Sequence, residues 1–196
     1  MKIRAVVIAI AVLFAAGCDL VEAEPTATGS AFTEAGQYCV DKGGEVQDRV
    51  PTYGTNNDPS AWVGLAGSLA TCKLATMGDD TAIFVDLTTL YSEEPTLAAL
   101  AYLQSSTPED LIPSGNPASA VCAYLGGASQ FGPGANGGGL VDQSDRRFTV
   151  FSPCMFADGS FIEEWGITYH QEGVIRGADL EPLFRFDTDA APQVFD

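Results

Sequence analysis

A single histidine limits the catalytic chemistry that this sequence offers. His170 would have to serve any serine or cysteine nucleophile as its base. No serine stands in the Gly-x-Ser-x-Gly motif that exposes a nucleophile at a sharp turn. Because a lone histidine at the end of a strand is usually structural, we interpret His170 as a structural or solvent-facing residue.

Two adjacent glutamates are the other candidates for acid–base chemistry. Glu163 and Glu164 stand just before Trp165 in a segment that we predict to be a strand. Adjacent strand residues point to opposite faces, so the two carboxylates are not expected to act on one substrate. We expect one to face solvent and the other to cap an element or to pair with an arginine. The candidate arginines are Arg146, Arg147 and Arg176.

Two pairs of aspartates and a glycine-rich loop could hold a cation or a phosphate. Asp79-Asp80 and Asp142-x-x-Asp145 fall short of the full calcium-loop pattern, so we interpret both as solvated turns. The glycines between Gly132 and Gly139 lack the lysine of a phosphate-binding loop and are predicted to form a flexible loop. No metal site, cofactor or catalytic residue is therefore predicted.

Five cysteines remain as chemistry-bearing residues. The sequence has them at Cys18, Cys39, Cys72, Cys122 and Cys154. The last four lack the short C-x₂₋₄-C spacing of zinc sites, which favours disulfide bonds. Four cysteines allow three pairings.

An internal repeat selects one of these pairings. Cys39 and Cys122 are each followed at the fourth and fifth positions by a Gly-Gly pair. The next cysteine comes 33 residues later in the first copy and 32 residues later in the second. Two copies of one unit indicate pairing within each copy, Cys39 with Cys72 and Cys122 with Cys154. Small units have thin cores and benefit from such cross-links.

Each copy has the pattern of a short helix followed by strands. In the second copy Asn116 is a good helix cap, Pro117 suits the first helical position, and Gly126-Gly127 ends the helix. We predict strands over 147–152 and through Trp165 to Tyr169, with a turn at Asp158-Gly159 before the last one. The sequence thus predicts an α+β fold of two disulfide-stapled units, each a short helix followed by an antiparallel sheet.

The first copy repeats this pattern from Ala35 to the strand that contains Cys72. A β-rich segment follows at 82–87. Residues 95–103 are apolar around most of a helical circumference, so we predict a buried helix there.

The N-terminus has the composition of an export signal. Lys2 and Arg4 precede an unbroken apolar run, Ala5 to Ala16, that is too short to span a bilayer. The small residues just before Cys18 resemble the lipobox of bacterial lipoproteins. That resemblance implies cleavage before Cys18, acylation of its thiol, and a folded part held at a membrane outside the cytoplasm, with the periplasmic side preferred.

The net charge excludes one class of function. The chain carries 26 acidic and 9 basic residues, a formal charge of −17. Binding to nucleic acid depends on neutralising phosphates with lysine and arginine, so no nucleic-acid partner is predicted. The same charge favours solubility and the attraction of cationic partners.

The second copy resembles a known family, the domain of unknown function 333 family, whose members are short bacterial domains that often are lipoproteins and carry a haemolysin label. The match runs from about Asn116 to Gly177. Its motif positions here are Asn116, Pro117, Gly126, Gly127, Gly159, Glu164 and Trp165. Many relatives have a second cysteine pair near the Glu-Trp segment, whereas this chain has Ile162 at that place. The first copy lacks both the Asn-Pro start and the Glu-Glu-Trp ending.

These patterns lead to one reading of the organisation. We divide the chain into a signal peptide (1–17), a flexible stem (18–33), a divergent first unit (34–104), a linker (105–115), the family-like unit (116–177) and an acidic tail (178–196). We expect a non-enzymatic cell-envelope lipoprotein that binds a protein partner or supports the envelope. An inhibitor that displays a loop to a protease or other hydrolase, and a membrane-active protein, stay open as alternatives.

Overall fold

The computed structural model describes residues 28–76, 80–104, 115–129 and 137–195, and it describes side chains from residue 33 onward apart from Gln104. In this part of the chain there are five α-helices: α1 (Thr28–Asp41), α2 (Leu87–Tyr91), α3 (Leu97–Gln104), α4 (Pro117–Tyr124) and α5 (Glu164–Gln171). The strands are β1 (Glu45–Tyr53), β2 (Val63–Gly64), β3 (Leu69–Ala75), β4 (Ala82–Asp86), β5 (Ala128–Ser129), β6 (Gly138–Val141), β7 (Val150–Phe151), β8 (Pro153–Met155) and β9 (Phe161–Glu163).

All strand pairs are antiparallel and belong to one curled sheet. Its order is β5-β8-β9-β4-β3-β1-β6-β7, with β2 paired to β1. The helices and this antiparallel sheet confirm the predicted α+β class. The predicted units share the sheet, because β4 of the first unit pairs with β9 of the second.

The two units have matching strand orders on the two sides of the antiparallel β4–β9 pair. On one side the order is β4, β3, β1, and on the other it is β9, β8, β5. Val85 lies opposite Cys72 in its own unit, and Ile162 lies opposite Cys154 in the other. Val85 and Ile162 also lie opposite each other. The repeat in the sequence therefore corresponds to a repeat in space.

The two faces of the central strands bury different cores. Alternate residues such as Ile83, Val85 and Ile162 pack under the helices, in the larger core, which contains all four disulfide cysteines. The residues between them, Phe84 and Phe161, pack in a smaller core on the opposite face with Phe151. The period of two along each strand accounts for this division.

Strand β1 connects the two sides of this smaller core. It pairs with β3 through Glu45–Arg49 and with β6 through Val50–Tyr53. Strands β6 and β7 belong to the second unit in sequence, yet β6 pairs with β1 of the first unit and β7 pairs with β6. The described part of the segment between β5 and β8, residues 137–152, therefore extends the sheet beyond β1 and contributes Leu140 and Phe151 to the smaller core.

Two strand predictions were wrong in extent. The strand predicted over 147–152 is limited to Val150–Phe151. The last strand ends at Glu163, and the residues from Trp165 to Tyr169 belong to helix α5. Their alternating aromatic and β-branched residues favour a strand, but Glu163 caps a helix there and Ile167 is fully buried on it.

Other segments lie differently from the sequence-based division. Helix α1 begins at Thr28, inside the predicted stem, and its later residues Ala35 and Cys39 pack in the larger core. The segment described as an acidic tail contributes Leu180, Phe184 and Phe186 to that core, because its apolar residues cover the helices. Residues 97–103 form the buried helix that was predicted. No helix among the described residues is both long and apolar enough to cross a membrane.

Candidate functional site

Two disulfide bonds join helix to sheet at equivalent places in the two units. Cys39 is bonded to Cys72, and Cys122 is bonded to Cys154, with Cα–Cα distances of 5.8 and 5.6 Å. All four cysteines are buried. The predicted pairing within each copy is confirmed.

The Gly-Gly pair of each copy is explained by its disulfide. Gly43 and Gly126 have φ of 84° and 78°, the left-handed conformation that ends a helix and favours glycine. At Gly44 a Cβ atom would lie 2.5 Å from Cys72 Sγ, and at Gly127 it would lie 2.5 Å from Cys154 Sγ. The first glycine turns the chain, and the second leaves room for the sulfur atoms.

The remaining motif residues have structural roles. The Asn116 side chain accepts a hydrogen bond from the Ala118 amide at 3.1 Å, and Pro117 is the first residue of α4, as predicted. Gly159 has φ of 82° in the turn that connects β8 and β9. These residues position the disulfide and the start of α5 rather than a reacting group.

Glu163 is buried and caps helix α5. Its carboxylate accepts hydrogen bonds from the Trp165 amide at 3.0 Å and the Gly166 amide at 2.6 Å. Burial raises the pKa of Glu163 to about 7, although the charge of Arg176 and these two amides act in the opposite direction. The prediction that one of the two glutamates caps an element is confirmed. The prediction that the other faces solvent is wrong, because Glu163 and Glu164 are both buried.

Glu164 is the first residue of α5 and lies between two serines. Ser119 Oγ donates to Glu164 Oε2 at 3.1 Å, and Ser129 Oγ donates to Oε1. Burial raises the pKa of Glu164, and the two hydroxyl donors oppose that rise. This carboxyl group ties α4 and β5 to the first turn of α5.

His170 does not form a catalytic pair with either glutamate. It lies in α5, seven residues after Glu163, a rise of about 10 Å along the helix. Its ring stacks on Tyr102 with a centroid distance of 3.8 Å, and burial lowers the pKa of the imidazole. The structural interpretation of His170 agrees with these contacts.

A cleft beside Glu163, which we call the Glu163 cleft, has a volume of about 320 Å³. It has an aromatic wall and a few polar groups, an arrangement that can hold a small ligand with an apolar body. Its aromatic residues are Phe84, Phe148, Phe151 and Trp165, and its polar residues include Asn56, Glu163 and Arg176. The Glu163 oxygens already accept two amides, and His170 does not line the cleft.

Asp145 is the centre of an ion-pair network rather than a solvated turn. Its Oδ2 atom lies 2.5 Å from Lys73 Nζ, 3.2 Å from Arg49 and 3.1 Å from Gln47. Burial alone would raise the pKa of Asp145, but the Lys73 and Gln47 hydrogen bonds lower it to about 2. Asp142 bonds to Ser144, and no group of three or more metal-ligating side chains occurs among the described residues.

Sequence reasoning missed Arg49, whose guanidinium is buried beside two stacked aromatic rings. It lies 4.6 Å from the Phe84 ring centroid and 5.0 Å from that of Phe151. The alternation along β1 places Arg49 on the buried face, but only the fold of β6 and β7 provides Asp145 and the rings. No local signal indicates this contact.

A second cleft, which sequence reasoning also missed, has a volume of about 370 Å³ and is called here the Trp62 cleft. It lies where β1, β2 and β6 meet, and its charged lining residues are Asp48 and Asp142. The Trp62 indole donates to the Asn57 carbonyl at 3.0 Å, which holds the ring in place. Its apolar lining includes Val50, Val141 and Pro59.

Several predicted features lie outside the described residues. They are Cys18 and the signal peptide, Asp79, the linker over 105–114, and the glycine-rich loop over 131–136.

Comparisons of the chain with protein-family models, with curated proteins and with solved structures find no match. The resemblance of residues 116–177 to the domain of unknown function 333 family therefore stays a prediction, and the chain's function is argued from its own residues.

Proposed function

We propose that this protein is a bacterial cell-envelope lipoprotein without enzymatic activity, which binds a protein partner outside the cytoplasm. The observation that carries the proposal is the pair of buried disulfides at equivalent helix–sheet junctions. Disulfides of this structural kind form and persist in oxidising compartments. They therefore support export, which agrees with the apolar leader and the lipobox-like residues before Cys18.

Attachment to a membrane would depend on a lipid at Cys18. The apolar run of the leader is too short for a membrane span, and no other apolar run in the sequence approaches that length. Diacylation together with an amide-linked chain would hold the protein firmly, whereas one acyl chain binds only marginally.

The absence of catalysis is supported by the engagement of the acid–base groups. Glu163 caps α5, Glu164 is bonded to two serines, and His170 stacks on Tyr102. A general base must reach the proton that it abstracts, and each of these groups is directed to a structural partner instead. The role that remains is the binding of a partner by a rigid, cross-linked frame.

The anchor is tested by expressing the full chain with its leader in a bacterium that processes lipoproteins. The wild-type protein is expected in the detergent phase, with an intact mass that shows cleavage before Cys18, acyl chains and two disulfides. Cys18→Ser should lack the acyl mass and leave the membrane fraction. A Ser30→Ala variant serves as the matched control and should behave as wild type.

Two results would contradict the proposal. One is a wild-type mass without acyl chains, and the other is free thiols at Cys39 and Cys72 in protein taken from the envelope. For the binding role, cross-linking in intact cells followed by capture should enrich one partner with the folded chain. The binding role would be contradicted if the folded chain captured no more of any protein than the same chain does after reduction and unfolding.

A further inference from the structure

We propose that the Trp62 cleft binds a lysine or arginine side chain from an extended basic segment of the protein partner. This inference rests on the proposed binding function and names the chemistry of the partner at one site. Three features of the cleft support it: the negative charge of two aspartates, the ring of Trp62, and the edge of β2 that no described strand occupies.

The charges in the cleft are of one sign. Asp48 lies on β1, where it pairs with Ala70 of β3, and its side chain forms no hydrogen bond or ion pair with any described residue. Asp142 follows β6, and its Oδ1 atom accepts hydrogen bonds from the amide and the hydroxyl group of Ser144. These hydrogen bonds lower the pKa of Asp142, so it stays ionised near neutral pH. A cationic group would therefore meet two carboxylates, within a chain whose formal charge is −17.

The aromatic ring adds a surface that favours a cation on an apolar stem. A guanidinium or ammonium group is attracted to the face of a tryptophan ring. Asp58 caps the short 3₁₀ helix Pro59–Ala61 just before Trp62, and the indole is fixed by Asn57. Val50 and Val141 provide apolar contact for the methylene groups of a lysine or arginine stem.

The edge of β2 favours a peptide over a free amine. Among the described strands β2 pairs only with β1, so no described strand occupies its other edge, where an extended peptide could add as a strand. Val63 on this strand is 53 % exposed, and Leu65 just beyond it is 41 % exposed. Exposed apolar side chains next to a cation site indicate a protein segment, which can cover both.

The Glu163 cleft does not offer the same chemistry. Arg176 lines it and Glu163 has both oxygens bonded to amides, so an incoming cation would meet a like charge and an occupied acceptor. The charge distribution thus selects the Trp62 cleft.

The test uses the oxidised full chain carrying Trp165→Phe, so that Trp62 is the only tryptophan and reports binding by fluorescence. The probe is an acetylated, amidated nonapeptide of alternating valine and serine with one central lysine. The matched peptide has glutamine in place of lysine. We expect saturable binding of the lysine peptide, weakened about tenfold by Asp48→Asn or Asp142→Asn and weakened by added salt.

Controls separate the possible outcomes. Glu94→Gln removes an exposed carboxylate outside the cleft and should leave affinity unchanged, and circular dichroism should show that each variant is folded. Equal binding of the glutamine peptide, or unchanged affinity in both aspartate variants, would overturn the proposal. So would equally tight binding of n-butylammonium, which would make the cleft a site for small amines only.

The result is independent of the anchor test. Failure of peptide binding in a chain that is acylated and cross-links to a partner would remove this site and leave the proposed function intact. Peptide binding by a chain that is never acylated would support this site and contradict the proposed lipid anchor.

Discussion

The two halves of the molecule have the same frame, and one difference between them lies at a buried residue next to a helix cap. In each half a helix cysteine is bonded to a strand cysteine, and an acidic residue ends the central strand and caps the next helix. Asp86 caps α2 by accepting from the Thr89 amide at 3.1 Å, and Glu163 caps α5. Burial raises the pKa of Asp86 to about 6, as it raises that of Glu163 to about 7.

The difference lies in the residue that follows each cap. In the first half this residue is Leu87, and in the second half it is Glu164, both buried. The serines that bond Glu164 stand three residues before and seven residues after Cys122. At the same offsets from Cys39 the first half has Gly36 and Val46.

Leu87 and Glu164, one apolar and one acidic, thus occupy corresponding buried positions of one frame, and only Glu164 has serine partners. The frame depends on the disulfide and the Gly-Gly turn, which both halves retain. The residue after the cap can change from apolar to acidic only if the residues that contact it change as well. The reason is that a buried carboxyl group is tolerated only with hydrogen-bond partners.

The largest expected effect comes from introducing the polar residue without its partners. Leu87→Glu should destabilise the protein by about 4 kcal/mol at neutral pH, because neither Gly36 nor Val46 can donate to the new carboxylate. The free energy of unfolding in urea measures the loss, with Leu87→Met as the control. A loss as small as that of Leu87→Met would show that the halves are not equivalent here.

The reverse exchange should be tolerated. The triple variant Glu164→Leu, Ser119→Ala and Ser129→Val gives the second half an apolar group, and replacing buried polar networks by apolar residues is often neutral or stabilising. Unfolding at neutral pH should be no easier than in wild type. Strong destabilisation would mean that the carboxyl group contributes more than packing.

Removing either disulfide should have nearly the same effect, about 3–4 kcal/mol, because the sequence separations are 33 and 32 residues. The variants are Cys39→Ala with Cys72→Ala, and Cys122→Ala with Cys154→Ala. Thermal unfolding of the two doubles measures the difference between halves. Costs that differ by more than twofold would contradict the equivalence.

The two acidic caps should make stability fall as pH rises. The folded-state pKa of Asp86 is about 6 against 3.8, and that of Glu163 is about 7 against 4.5, so the folded chain binds protons more tightly than the unfolded chain between those values. We expect the free energy of unfolding to fall by about 4 kcal/mol between about pH 5 and about pH 8.

The cap variants separate the two contributions. Glu163→Gln should flatten the upper part of this range and Asp86→Asn the lower part. Asp145 acts oppositely and outside the range, since its pKa of about 2 gives stability that is lost only as pH falls below about 4. A pH profile that neither cap variant alters would refute this assignment.

The smallest expected effect is at the start of α4. Asn116→Ala removes the hydrogen bond to the Ala118 amide and should cost about 1 kcal/mol, whereas Asn116→Ser should retain most of the stability. Thermal unfolding measures both. Equal losses in the two variants would show that the cap contributes nothing.

The sequence-based predictions were most successful for features that depend on residues close together in the chain. The shared spacing of each helix cysteine and its Gly-Gly pair is local, and it revealed the repeat from which the disulfide pairing was predicted. The cap at Asn116 and the turn at Gly159 were local in the same way.

The prediction of a strand was wrong at α5, although a comparison of the two repeats would have indicated the helix. Trp165, Ile167 and Tyr169 alternate as a strand would, yet Glu163 corresponds to Asp86, a residue type that favours a helix cap. Alignment of the two caps would have placed a helix after both central strands.

The sequence by itself determined which cysteines are cross-linked, where the helices α3 and α4 lie, and that the fold combines helices with antiparallel strands. Only the tertiary structure decided that the units share a sheet, that Arg49 meets Asp145 across 96 residues, and that Asp48, Trp62 and Asp142 line one cleft. The physical reason is the range of the interactions. Caps and turns depend on neighbours in the chain, whereas strand pairing and ion pairs between distant residues depend on how the whole sheet curls.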